Sequence, residues 1–208
     1  MTVAGAQDVQ AGPRANWFVG MPVEGSFLAR VPAPPRGFRV LHPDDLHLTV
    51  AFLGPCGEEA ALRALAALDE ALARDASLRA PIDASLGEVV PMGDPRRYSA
   101  LSALLARGRA AAEARMAVLR DPLADAAGAR REVRAPKAHV TIARPSRAAS
   151  TAERRAGLSW AAALALEKVH VRLDRVALYT WSRDRGSRLF RIVAERALDA
   201  GNISAAGA

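Results

Sequence analysis

With 208 residues, half of them hydrophobic and a quarter charged, the chain suits one globular domain or two small lobes sharing a core. Its lone cysteine, Cys56, excludes an internal disulfide and fits a reducing compartment. No apolar stretch approaches the length that spans a bilayer, and the N-terminus lacks the basic-then-apolar run of a signal peptide, so a soluble cytoplasmic protein with no membrane partner is expected. The net charge of +7, from 29 basic and 22 acidic residues, favours polyanionic partners. Lysine occurs only at Lys137 and Lys168, however, and arginine dominance in an alanine-rich chain also fits a coding bias.

Residues 1–15 and 199–208 are small, polar and aperiodic, and are expected as frayed tails around a single domain at 16–198. Trp17 to Met21 and Phe38 to Leu41 read as short strands separated by a loop with Pro32, Pro34 and Pro35. Leu46 to Leu53 is a strand ended by Gly54-Pro55. Cys56 follows in a Pro-Cys-Gly turn and reads as an inert small residue. A helix is predicted over 58–74, with Leu62, Leu65, Leu68 and Leu72 as its apolar stripe. Glu58 and Glu59 at its start and Arg74 at its end suit the helix dipole. Strands follow at 82–90 and 98–103. A helix follows over 104–120, and Asp121-Pro122 has the form of a cap and first-turn proline of a short further helix. Ala138 to Ala143 is a strand closed by Pro145. Ser150 and Glu153 have capping-box spacing and open a helix to about Leu166. Strands at 169–181 and 188–197, joined across Asp184-Arg185-Gly186, complete an α+β pattern with mostly antiparallel sheets.

One repeat stands out. LHLTVAFLGP at 46–55 and AHVTIARPSR at 138–147 each contain a strand, a proline break and then a helix, with the same interval from histidine to helix start. A duplicated lobe is the economical explanation. Alternate side chains of a strand share a face. His47, Thr49 and Ala51 therefore share one face, as do His139 and Thr141, while bulky apolar residues take the other.

A single strand histidine is more often a surface or satisfied residue than a catalyst, and His42 and His170 read that way. Two His-x-Thr motifs in matching settings, using two of only four histidines, point to function instead. Histidine titrates near neutrality, so one imidazole can accept a proton while the other donates one. Threonine hydroxyls beside them can hold non-bridging phosphate oxygens. Phosphodiesters suit such a site, because their chemistry needs positioning and charge stabilisation. Zinc normally wants three or four ligands, and neither motif contains a cysteine or carboxylate, although Asp44 and Asp45 lie just upstream. A site free of metal and cofactor is expected.

His47-Leu48-Thr49-Val50 and His139-Val140-Thr141-Ile142 resemble the paired H-x-T-x signatures of the 2H phosphoesterase superfamily. RVLHPDDLHLTVAFLG at 39–54 and APKAHVTIAR at 135–144 resemble the signature segments of its RNA 2′,3′-cyclic phosphodiesterases, also called 2′-5′ RNA ligases or LigT-like proteins. WFVGMP at 17–22 and VALYTW at 176–181 fit that family's first and late strands. The chain departs from the family at Val40, where tryptophan is usual, at Ala138, where proline is usual, and at Trp181, near a usual serine.

The resemblance implies a bilobal α+β fold with pseudo-twofold symmetry, its two mostly antiparallel sheets facing a central cleft. It further implies metal-free hydrolysis of RNA 2′,3′-cyclic phosphate ends, or of small cyclic-phosphate nucleotides, to 2′-phosphomonoesters by a monomer. His139 would act as base and His47 as acid, roles that pseudo-symmetry makes interchangeable. Thr49 and Thr141 would hold phosphate oxygens. Arg144 matches a motif arginine, but strand parity sets it opposite His139, so its role requires the chain to turn before Pro145. Trp181 is a half-buried strand residue on the commoner reading and a base-stacking platform on the other. Two alternatives stay open: joining of RNA ends through a 2′,5′ linkage, and a non-catalytic module that binds RNA ends.

Overall fold

A computed structural model describes residues 15–199. Apart from residues 15 and 199, the tails expected at 1–15 and 199–208 lie outside the described residues. The strands are β1 (Trp17–Pro22), β2 (Phe38–Val40), β3 (His47–Gly54), β4 (Ile82–Met92), β5 (Ala100–Leu105), β6 (His139–Pro145), β7 (His170–Leu173), β8 (Arg175–Trp181) and β9 (Phe190–Ala197). The helices are α1 (Glu58–Arg74), α2 (Arg109–Ala126) and α3 (Thr151–Ala162).

The strand order is β7-β4-β5-β6-β3-β1-β8-β9, with β2 added beside β6, and every pairing is antiparallel. This order is symmetric about the β6/β3 junction. Four strands carry His47 on one side and four carry His139 on the other, so the two expected sheets are halves of one curled sheet, a half-barrel. The halves touch through one rung, Leu48 opposite Val140. The helices cover one face, where Val19, Leu48, Val50, Leu101, Val140 and Ile142 are buried in the main core. The opposite face is left to the His-x-Thr residues.

Several elements differ from the sequence expectation. Leu62 is 44% exposed, and the buried stripe of α1 is Ala61, Ala64, Leu65, Leu68 and Leu72. Small alanines let α1 approach the neighbouring α2, so the contact face is centred about one residue earlier than the leucines alone suggest. Pro122 opens no new helix. It lies inside α2, which runs on to Ala126 because Leu119, Leu123 and Ala124 are buried together. The run 169–181 is two strands broken at Asp174: β7 pairs with β4 in one half and β8 with β1 in the other. The buried positions change parity at the break, from Val171 and Leu173 to Val176 and Leu178, but no glycine or proline marks it, so the sequence reads as one strand.

The capping box of α3 is present as expected. The Ser150 hydroxyl accepts from the Glu153 N–H at 3.2 Å, and the Glu153 carboxylate accepts from the Ser150 N–H at 2.7 Å. Gly157 lets this helix dock closely, since a Cβ there would collide with the Phe38 ring and stand 2.7 Å from the Tyr98 hydroxyl. Gly157→Ala is therefore expected to lower stability by about 1–3 kcal/mol despite alanine's better helix propensity. Urea unfolding checks this through a lower midpoint at unchanged m-value.

Candidate active site

The two His-x-Thr strands meet at the Leu48–Val140 rung. An antiparallel register through that rung sets His47 towards Thr141 and Thr49 towards His139. The two histidines are then diagonal neighbours on the uncovered face, which in a regular ladder stand about 7–8 Å apart, and somewhat less between Cβ atoms. They are close enough for a charge on His139 to disfavour one on His47.

Both rings are held in the same way. His47 Nδ1 lies 2.7 Å from the carbonyl oxygen of Asp45, and His139 Nδ1 lies 2.7 Å from that of Lys137. A carbonyl only accepts, so each Nδ1 carries hydrogen and each Nε2 is left as the atom that takes or gives a proton. The tether runs from residue i to residue i−2 in both halves.

A β-bulge follows each motif at the same place. Thr49 pairs with Gly20 and Ala51 with Val19, so Val50 is unopposed on β1. Thr141 pairs with Ser102 and Ala143 with Leu101, so Ile142 is unopposed on β5. One extra residue reverses the alternation beyond it. Val50 and Ala51 both face the core, as do Ile142 and Ala143, and the next residues, Phe52 and Arg144, swing to the His-x-Thr face. The expectation that Arg144 needs a turn before Pro145 is thus replaced. The strand continues to Pro145, and the bulge reorients the arginine. Arg144 pairs with Arg39 across β2, and its charge is felt by His47, with Arg185 and Asp45 as further charged neighbours. Phe52, 59% exposed, shares a cavity of about 360 Å³ with Thr49, His139, Lys137, Arg134 and Arg120.

The surroundings of the two rings differ. His47 stands among Phe18, Tyr179 and Phe190, with ring centroids 4.6, 5.2 and 5.4 Å away. This desolvation pushes its pKa down to about 4, opposed by the Asp45 carbonyl and assisted by the charge of Arg144. Burial also lowers the pKa of His139, opposed by its bond to the Lys137 carbonyl, but less far. Thr141 is oriented by the fully buried Ser102, whose Oγ lies 3.2 Å from its Oγ1. Thr49 faces Gly20 instead, where a Cβ would lie 3.0 Å from the Leu48 carbonyl oxygen.

Sequence reasoning did not find Ser102, Phe18, Tyr179, Phe190 or Phe52, and it considered Asp45 only as a metal ligand. The buried Asp45 carboxylate accepts from the backbone N–H groups of Leu189 and Phe190 at 2.8 and 2.9 Å. It thereby ties the turn that carries the His47 tether to β9. Its position two residues before the histidine was the available signal. Both of its oxygens are committed, and among the described residues no group of three or more His, Cys, Asp or Glu is disposed to hold a metal ion.

The remaining candidates sit outside the pair. His42 Nδ1 accepts from the Asp44 N–H at 3.2 Å and caps a short turn, and His170 is exposed on β7. The half-buried Cys56 thiol bonds to the Gly57 carbonyl at 3.5 Å, and burial raises its pKa, away from nucleophilic character. Trp181 is half-buried with the Arg185 guanidinium 4.1 Å over its ring.

The sequence profile of the 2′-5′ RNA ligase superfamily matches residues 34–185, most of the chain and both motifs. The chain belongs to that superfamily. Its members are 2H phosphoesterases, and membership places this superfamily protein among enzymes of phosphoester chemistry. No curated protein matches the sequence. Solved structures with the same fold include Escherichia coli LigT complexed with 3′-AMP, 18% identical with a TM-score of 0.59, the match covering 88% of this chain and 98% of that one. TT0787 of Thermus thermophilus is 19% identical with a TM-score of 0.63, covering 88% and 97%. Kluyveromyces marxianus Usb1 is 11% identical with a TM-score of 0.50, covering 81% and 95%. Among the described residues of this superfamily protein, no helix is long and apolar enough to cross a membrane.

The depressed His47 pKa has a stability consequence. Between pH 6.5 and about 4 the unfolded chain binds a proton at this residue that the folded chain refuses, so stability falls as pH falls through that window. The loss amounts to roughly 3 kcal/mol at about 1.4 kcal/mol per pH unit. His47→Phe, which fits the aromatic surroundings, is expected to flatten the acid limb and leave the smaller contribution of His139. Urea midpoints measured from pH 7 to pH 4 check this.

Proposed function

We propose that this protein hydrolyses RNA 2′,3′-cyclic phosphate ends, or small cyclic-phosphate nucleotides, to 2′-phosphomonoesters in the cytoplasm, as a single 16–198 domain acting as a monomer. The observation that carries the reading is the pair of imidazoles with identical Nδ1 tethers and free Nε2 atoms on one open face. Neither cofactor nor metal is invoked, because the described residues around the pair offer no further ligand set.

In this reading water attacks phosphorus and gives its proton to one Nε2, while the P–O3′ bond breaks and O3′ takes a proton from the other. The products are a 2′-phosphate and a 3′-hydroxyl, and exchange with solvent resets the histidines. Thr49, Thr141 and Arg144 hold the non-bridging oxygens as charge builds on them. Unequal burial supports one order of roles. His47 is enclosed by Phe18, Tyr179 and Phe190 while His139 opens on the cavity, so in this reading His139 carries the proton and is the acid and His47 the base, the reverse of the order taken from the resemblance. A 5′-hydroxyl in place of water would form a 2′,5′ linkage at the same site.

His47→Ala and His139→Ala are each expected to lower kcat/KM for a cyclic-phosphate RNA by about 10²–10⁴-fold, with turnover of the unaltered protein persisting in EDTA. A fully active single variant, or loss on chelation, would overturn the reading. Tight binding without turnover across pH 5 to 8 would identify a binding module instead. A substrate whose leaving atom is 3′-sulfur needs no protonation. It is expected to rescue His139→Ala but not His47→Ala, and the opposite rescue would restore the roles implied by the resemblance. Matched assays with a 5′-hydroxyl RNA acceptor compare ligation with hydrolysis.

A further inference from the structure

The turn between β4 and β5, the turn after β6 and the first turns of α3 enclose a second surface cavity of about 550 Å³. Arg96, Arg97, Arg147, Arg154 and Arg155 line it, with no acidic residue in the lining. Only Arg154 is engaged. Its Nη1 donates to the Tyr98 carbonyl at 2.6 Å, and its own carbonyl accepts from the Tyr98 hydroxyl at 2.7 Å. Among the described residues, the other four guanidinium groups make no hydrogen bond and have no carboxylate within 4.0 Å; all four residues are exposed. The acidic groups nearby are committed elsewhere. Glu153 caps Ser150 and faces Arg36, and Asp94 accepts from the Arg96 backbone N–H.

Four uncompensated cations around one depression repel one another, and a polyanion relieves that repulsion with release of its counterions. The chain links this cavity to the histidine cleft: Arg147 is three residues beyond Arg144, at most about 11 Å of extended backbone. It is too broad and too charged for a single phosphate. Leu158 and Pro95 add an apolar surface beside the charges.

We propose that this arginine cluster binds the phosphate backbone of the RNA strand whose 3′ end lies between His47 and His139. The nucleotides upstream of the reacting end are led past Arg144 onto Arg147, Arg96, Arg97 and Arg155. The site makes the protein prefer RNA ends to cyclic mononucleotides. This rests on the cyclic-phosphate reading for the position of the 3′ end.

The test replaces Arg96, Arg97, Arg147 and Arg155 together with glutamine, and in a second protein with lysine. Fluorescence anisotropy is followed against salt for a single-stranded RNA of about twelve nucleotides with a 2′,3′-cyclic phosphate end, and for the same RNA with a plain 3′-hydroxyl. The glutamine variant is expected to bind both RNAs at least about tenfold more weakly. Its slope of log K against log salt should be shallower by roughly 2–3, at about 0.7 per lost phosphate contact. The lysine variant keeps most of the slope, and a cyclic-phosphate dinucleotide is turned over equally by all three proteins. Unchanged RNA affinity and slope in the glutamine variant, or an equal loss on the dinucleotide, would overturn the proposal. Failure of the cyclic-phosphate reading itself shows separately, as no turnover of either substrate by the unaltered protein, while the anisotropy series still decides whether the cluster binds RNA.

Discussion

Leu48 against Val140 is the one rung at which the two halves of the sheet are hydrogen-bonded across β3 and β6. Shifting it by one residue would turn one motif's histidine and threonine into the core and its leucines and valines outwards. Both apolar side chains of the rung are fully buried, so the covered face enforces the register and the uncovered face inherits it. The separation of the imidazoles is thus set by hydrophobic packing on the far side of the sheet.

What the sequence disclosed and what it hid follow from that division. The alternation of His47 and Thr49 with Leu48 and Val50 is a local pattern, legible because one face of the strand is buried and the other is not. The bulges left no such trace. Val50-Ala51 and Ile142-Ala143 are apolar pairs that fit either parity, so the reorientation of Arg144 and Phe52 appears only when the partner strands are counted. Asp45 reads as one of two acidic residues in a turn until β9, more than 140 positions later, brings two N–H groups to it. The break at Asp174 was hidden for a related reason: the one-residue change of parity from Leu173 to Val176 carries no turn residue of the glycine or proline kind, although the strands on either side pair with different halves.

Pseudo-symmetry stops at the surroundings of the rings. The half that carries His47 backs it with Phe18, Tyr179 and Phe190, and the Tyr179 hydroxyl has no hydrogen-bond partner among the described residues. The half that carries His139 offers Ser102 to Thr141 and opens towards Lys137 and Arg134. Duplicated backbone geometry supplies two equivalent Nε2 atoms, and unequal solvation makes them chemically distinct. A pair that must give and take protons in one step needs both properties, and they come from different parts of the molecule.

The strand order carries a consequence for how the chain must assemble. After β3 and α1, β4 opens the half built around β6, and β5, β6 and β7 complete that half before β8 crosses back to pair with β1 in the half built around β3. The half that carries His139 is therefore one unbroken run of chain, residues 82–173, inserted between β3 and β8 of the half that carries His47. The half that carries His47 is drawn from two distant stretches, β1 and β3 before the insertion and β8 and β9 after it, so the nascent chain must complete the inserted half before the first can close.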